Sequence, residues 1–216
     1  MTNNNLQANV AAELSWDPWV DSERIAVSAA GGRVTLRGTV RGLRQKRAAH
    51  LAVQRVHGVT GISDYLRVQV LDQDRRADAD LRADVLRAFM LNGIVPATVS
   101  AGVADGVVTL SGTAIWQYQR QEAEVVCGSV PGVLAVADDI SLKPESADDD
   151  AEPAVRASFR RSARLGRYGL SADSPYPGVL VVSGAVSSWA EHDDALAAAW
   201  SAPGVTEADD RIAVVC

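Results

Sequence analysis

A strand-like hexapeptide closing on glycine is written three times in this chain: Arg33-Val34-Thr35-Leu36-Arg37-Gly38, Val107-Val108-Thr109-Leu110-Ser111-Gly112 and Val179-Leu180-Val181-Val182-Ser183-Gly184. The closing glycines lie 74 and then 72 residues apart, and 20 positions after each comes a Gly-Val pair, Gly58-Val59, Gly132-Val133 and Gly204-Val205. Six positions further on stands an aspartate in every copy, Asp64, Asp138 and Asp210, and another glycine, Gly32, Gly106 or Gly178, precedes each strand. So many positions held at one spacing confine the chain to three copies of a single small unit.

The unit can be read from its periodicities. Val34, Leu36, Gly38 and Val40 fall on one side of a strand and Arg33, Thr35 and Arg37 on the other, the period of two expected when one sheet face is buried. The mid-strand glycine is costly in a strand and is read as allowing close approach of a helix. The glycine before the strand marks a hairpin to a short strand near Ile25–Val27 or Thr98–Val103. Ala49, Ala52, Val53 and Val56, then Ala123, Val126, Cys127 and Val130, then Ala195, Ala198, Ala199 and Ala202 make a small-residue stripe at helical spacing. Ser188 and Glu191 form a capping box at one such helix start. Each copy opens with an amphipathic helix: Leu6, Val10 and Leu14, then Leu81, Val85 and Phe89, then Val155 and Phe159. The strand-helix-strand step makes a right-handed crossover and the hairpin adds an antiparallel partner. The predicted fold class is therefore α+β, three tandem αββαβ modules, each with two helices on one face of a three-stranded mixed sheet. The modules span 1–71, 76–144 and 152–216, with polar linkers between them. In the third, Ser174-Pro175-Tyr176-Pro177 occupies the hairpin, and prolines lack ladder donors, so its first strand is expected to be short or absent.

This pattern resembles the BON domain, named for bacterial OsmY and nodulation proteins. The likeness rests on Leu14-Ser15-Trp16-Asp17-Pro18, on the strand Val34 to Val40, on the alanine-rich helix, and on Val56-His57-Gly58-Val59 with Asp64-Tyr65-Leu66. In the second copy it rests on Asp105 to Gly112 and Val130-Pro131-Gly132-Val133. The resemblance implies an envelope or stress-associated module proposed to bind phospholipid surfaces, with some relatives acting as chaperones or binding potassium. It implies no shared catalytic residues.

Charge narrows the partner. The chain carries a net charge of -6, with an isoelectric point near 5.1. Residues 1–74 have nine Lys/Arg against seven Asp/Glu, residues 75–147 six against nine, and residues 148–216 six against eleven. The molecule is polarised from basic to acidic, and its overall acidity argues against a nucleic-acid partner. No apolar run reaches the roughly 20 residues of a transmembrane helix. The start Met1-Thr2-Asn3-Asn4-Asn5-Leu6 has neither a basic nor an apolar leader region, so cytoplasmic residence is expected. Cys127 and Cys216 are read as free thiols.

Candidate binding residues follow. Arg33, Arg37, Arg41 and Arg44, with Lys46, Arg47 and Arg55, crowd into one short stretch and suit anionic lipid headgroups or an acidic protein. Arg156, Arg160, Arg164 and Arg167 are spaced as one side of a helix, which could lie on a membrane or pair with nearby acids such as Asp148 to Asp150. For each set a solvated strand or helix face is the favoured reading, with binding as the alternative. Trp16, Trp19, Trp116, Trp189 and Trp200 are candidates for inter-module packing, at least two of them filling seams, because a unit this small has little core of its own. Asp64, Asp138 and Asp210 read as turn or capping residues, with ion ligation as the alternative. His50 and His57 share a helix, His192 lies in another module, and neither cysteine has a metal-ligand companion. No catalytic residue, metal or cofactor is expected. The expected function is a non-enzymatic stress-associated adaptor that binds a protein surface or anionic phospholipid, with an ion sensor or a holdase-type chaperone as alternatives and the oligomeric state open.

Overall fold

The computed structural model describes residues 3–70, 75–144 and 151–215. The first unit runs α1 (Asn3–Trp16), β1 (Ile25–Ala30), β2 (Arg33–Val40), α2 (Leu43–Gln54) and β3 (Gly61–Val68). The second runs α3 (Asp78–Leu91), β4 (Ser100–Ala104), β5 (Val107–Ala114), α4 (Gln117–Gly128) and β6 (Ala135–Leu142). The third runs α5 (Ala151–Arg161), β7 (Ser171–Tyr176), β8 (Val179–Val186), α6 (Trp189–Trp200) and β9 (Glu207–Val214). In every unit the middle strand pairs antiparallel with its hairpin partner and parallel with the last strand. This is the predicted αββαβ module, found three times.

Each module has its own core, built from the faces that the periodicities mark. Val34, Leu36 and Val40 lie under α1 residues Leu6, Val10 and Leu14 and α2 residues Ala49, Ala52 and Val53. Val108 and Leu110 meet Leu81, Val85, Ala123 and Cys127 in the second module, and Leu180 and Val182 meet Val155, Phe159, Ala195 and Ala199 in the third. Small residues on the second helix let its backbone lie close to the sheet, so a narrow three-stranded layer still closes over fully buried side chains.

Local hydrogen bonds repeat with the fold. A side chain at the start of the first helix reaches the hairpin in each module: Asn3 Oδ1 accepts from Gly31 N at 3.0 Å, Asp78 from Asp105 N and Gly106 N, and Glu152 from Ser174 N. Gln45, Gln119 and Glu191 each turn back in the first turn of the second helix to accept from the backbone N–H of Arg41, Ile115 and Ser187. Ser188 accepts from Glu191 N at 3.4 Å, so the predicted capping box forms, with its return bond made to Ser187 rather than to the cap residue's own N–H.

Two expectations are corrected. The mid-strand glycine does not admit a helix. At Gly38 φ is +137°, and a Cβ there would meet the Arg24 carbonyl oxygen at 2.0 Å; at Gly112, with φ +122°, it would meet that of Thr98 at 2.1 Å. The close neighbour is the chain entering the first strand. The third hairpin, for its part, is not missing. Ser171, Ala172 and Asp173 pair with Ser183, Val182 and Val181, and pairing resumes at Tyr176 after an irregularity that contains Pro175. The proline sits where the ladder is interrupted, so its missing N–H removes no bond.

Candidate functional site

Both helices of each module cover the same side of its sheet, which leaves the opposite side open. Register assigns the open side of the first module to Ala26 and Ser28 on β1, Arg33, Thr35, Arg37 and Thr39 on β2, and Ser63, Tyr65 and Arg67 on β3. Arg33, Arg37 and Arg67 are exposed, Tyr65 is 61% exposed, and among the described strand residues no carboxylate shares the surface. Arg37 lies opposite Tyr65 in the ladder, and its guanidinium sits 5.5 Å from the ring centroid. Arg37, Tyr65 and Arg67 border a hollow of about 430 Å³. The result is a cationic face with one aromatic ring, held on strands.

The corresponding faces of the other modules differ in charge. Ser100, Gly102, Thr109, Ser111, Thr113, Ala137 and Asp139 line that of the second, nearly neutral. Asp173, Val181, Ser183, Glu207, Asp209 and Arg211 line that of the third. There Arg211 pairs with Asp209 at 2.7 Å, and Arg156 reaches Asp173 at 2.8 Å. The polarity visible in the composition thus lands on three equivalent surfaces, running from basic through neutral to acidic.

The first arginine group is divided by the fold. Arg33 and Arg37 belong to the open sheet, whereas Arg41 lies after β2 and pairs with Asp21 at 3.4 Å. Arg44 is on α2, 4.1 Å above the ring of Trp19. Arg55 ties α2 to the end of α1 through Glu13 and Asp17, and its guanidinium holds the Asp17 carboxyl below the usual range. Arg44 and Trp19 stand at a cleft of about 840 Å³ where α2 meets α4 and α6, with Arg47, Glu124 and Asp193 among its walls. Burial raises Glu124 above the usual carboxylate range, Asp138 adds to the shift, and Arg120 and Arg47 oppose it.

The second arginine group is spent mostly within its module. Helix α5 ends at Arg161, so Arg164 and Arg167 lie beyond it and the predicted continuous stripe does not form. Arg156 pairs with Glu152 and donates to the Ala172 carbonyl, Arg164 pairs with Asp194, and Arg167 binds Glu191. Burial alone would raise Glu191, but bonds from Tyr168, Ser187, Ser188 and Arg167 hold its carboxyl down at about 2. Arg160 remains exposed at the end of α5. Asp148 to Asp150 lie outside the described residues.

The tryptophans separate likewise. Trp189, first residue of α6, packs on the core of the first module, and Leu43, at the same position of α2, packs on the core of the second near Gly128. Trp200 packs on its own module's core, Trp116 is half-buried at the start of α4, Trp16 is 84% exposed, and Trp19 is exposed at the cleft. One tryptophan therefore fills a seam and a second borders one.

The recurrent aspartates have a partner that sequence reading missed. Each accepts from the backbone N–H two residues on, at 2.8 to 3.0 Å, as a turn residue does. Each also faces a cation on the second helix: Lys46 to Asp64 at 3.9 Å, Arg120 to Asp138, and His192 to Asp210 at 2.9 Å. Both carboxylate oxygens are thus engaged inside the module, and among the described residues no three His, Cys, Asp or Glu gather as metal ligands. Cys127 is a free, buried thiol; burial pushes it up to about 12, with Glu124 adding to the shift. Cys216 lies outside the described residues.

The model of the BON domain matches residues 2–70, 77–144 and 147–216. Osmotically-inducible protein Y of Escherichia coli (strain K12) is 31% identical over 148 residues, covering 66% of this chain and 74% of its own. Among solved structures, the C-terminal domain of CdsD, a structural protein of the type III secretion system of Chlamydia trachomatis, aligns over 100% of both chains at 11% identity with a TM-score of 0.26. A second CdsD structure covers 98% of this chain and 92% of its own, at 13% identity and a TM-score of 0.25.

Proposed function

The chain belongs to the BON domain family, in three tandem copies, and we propose that it is a non-enzymatic, stress-associated protein that binds anionic phospholipid through the open sheet of its first module. The relative's name, osmotically-inducible, supports the stress association. The observation that carries the binding proposal is the face of Arg33, Arg37 and Arg67 around Tyr65, with no carboxylate among the described strand residues that form it. Cations near an anionic membrane surface gain about 1 kcal/mol each. Three therefore supply about 3 kcal/mol, roughly a hundredfold enrichment at the surface. A tyrosine ring suits the headgroup level, apolar below and polar at its tip. No helix among the described residues is long and apolar enough to cross a membrane, so contact of this kind is peripheral.

Of the alternatives, ion sensing loses the carboxylates of Asp64, Asp138 and Asp210, whose oxygens are engaged within their modules, which leaves it the family resemblance and turn carbonyls. Co-sedimentation with vesicles tests the proposal. The chain is expected to pellet with phosphatidylglycerol-containing vesicles and not with pure phosphatidylcholine, and to be released by ~0.5 M salt, where screening is short-ranged. Equal pelleting with both, or none with either, refutes it.

A further inference from the structure

The acidic open face of the third module and the basic open face of the first are equivalent surfaces of opposite charge on one molecule. Asp173, Glu207 and Asp209 stand on the former beside one cation, Arg211, which pairs with Asp209 while Arg156 reaches Asp173 from α5, and Arg33, Arg37 and Arg67 stand on the latter with no acid among the described strand residues. Each carries an exposed tyrosine, Tyr176 or Tyr65. Both faces are open in the folded chain, so neither is satisfied by the other within one molecule. We infer that a second copy of this chain seats its third-module open sheet on the first-module open sheet, and that this contact competes with the anionic surface for the same arginines.

The inference rests on the proposed function only in taking the first-module face as the binding surface. Complementary potentials are what steer and register protein pairs. The contact is heterologous, so it either closes into a pair with two such contacts or extends as a chain. Seven residues along three strands cover about 300 Å², well below the about 800 Å² per partner of a stable complex. Association is consequently weak, strongest at low salt, and displaced by anionic lipid. The second module's face, with little charge, takes no part.

Sedimentation velocity on the full chain, at rising concentration into the millimolar range and at ~20 and ~500 mM salt, reads the association. The wild-type chain should associate at low salt and dissociate at high salt. The double variants R33E/R37E and E207K/D209K should each stay monomeric alone, since each then presents two faces of like charge. Mixed in equal amounts they should associate again, because the acidified first-module face of one meets the basic third-module face of the other. A wild-type chain that is monomeric throughout, or a mixture that stays monomeric, overturns the inference. Vesicle binding keeps the two proposals apart: E207K/D209K should retain it and R33E/R37E should lose it. Retained vesicle binding with no self-association in any arm leaves lipid as the occupant and rejects the second copy.

Discussion

His192 Nε2 lies 2.9 Å from the Asp210 carboxylate, and this pair occupies the place that Lys46 and Asp64 hold in the first module and Arg120 and Asp138 in the second. The arrangement ties the second helix to the last strand three times over. Only in the third module is the cation one that titrates near neutrality.

That difference gives the third module a pH dependence. The His192 imidazole is held above the ordinary histidine value, chiefly by its bond with Asp193, against burial, with Asp210 adding to it. A folded-state value above the unfolded one stabilises fully below about pH 6.5, and that stabilisation is lost as pH rises through the raised value. Thermal melts from pH 5.5 to 9 should show His192→Gln less stable than wild type by about 1 kcal/mol at the acid end, with the gap closing as pH rises. Parallel curves would remove the pair from the energetics.

The repeated glycines should differ in tolerance. All three strand glycines have φ between +122° and +138°, where any side chain is strained. A Cβ at Gly38 or Gly112 runs into a backbone carbonyl, while at Gly184 the nearest atom is the Leu170 Cδ2, a side-chain end that can turn aside. Gly38→Ala and Gly112→Ala should each cost upwards of about 3 kcal/mol, and Gly184→Ala clearly less, by urea denaturation.

Trp189 should couple the third module to the first. Its ring packs on the first core, yet its buried Nε1–H meets no acceptor among the described residues. Trp189→Ala should cost about 3 kcal/mol and split the calorimetric transition as the seam opens. Trp189→Phe should cost much less, because no hydrogen bond is lost.

Cys127 should be inert while the chain is folded. Its thiol is buried and pushed up to about 12, and the thiolate is the reactive form. Iodoacetamide at pH 8 followed by peptide mapping should leave Cys127 unmodified until denaturant is added; rapid native labelling would contradict the packing.

The module was legible because its signals are local and repeated. Alternation from Val34 to Val40 and the stripe from Ala49 to Val56 mark core faces without tertiary knowledge, and Arg33 and Arg37 are placed on the outer side by the same alternation. The aspartates were legible only in part. Their backbone bonds span two residues, but Lys46, Arg120 and His192 are three different residue types, each 18 positions from its aspartate, and nothing in a one-dimensional reading joins them. Proximity along the chain also misled. Arg41 and Arg44 follow Arg37 closely yet sit at a loop and on a helix, whereas Tyr65 and Arg67 complete the basic face from β3 through parallel pairing. The mid-strand glycine required φ and the position of the Arg24 carbonyl, neither of which a sequence displays.

The lipid-binding account turns on where the anionic surface touches the chain, and amide chemical-shift mapping against short-chain phosphatidylglycerol reads that directly. The account predicts perturbations concentrated on residues 33–39 and 61–67, absent in the R33E/R37E variant. Perturbations centred on Arg156, Arg160 and Arg164, or on the open sheet of the third module, would contradict it.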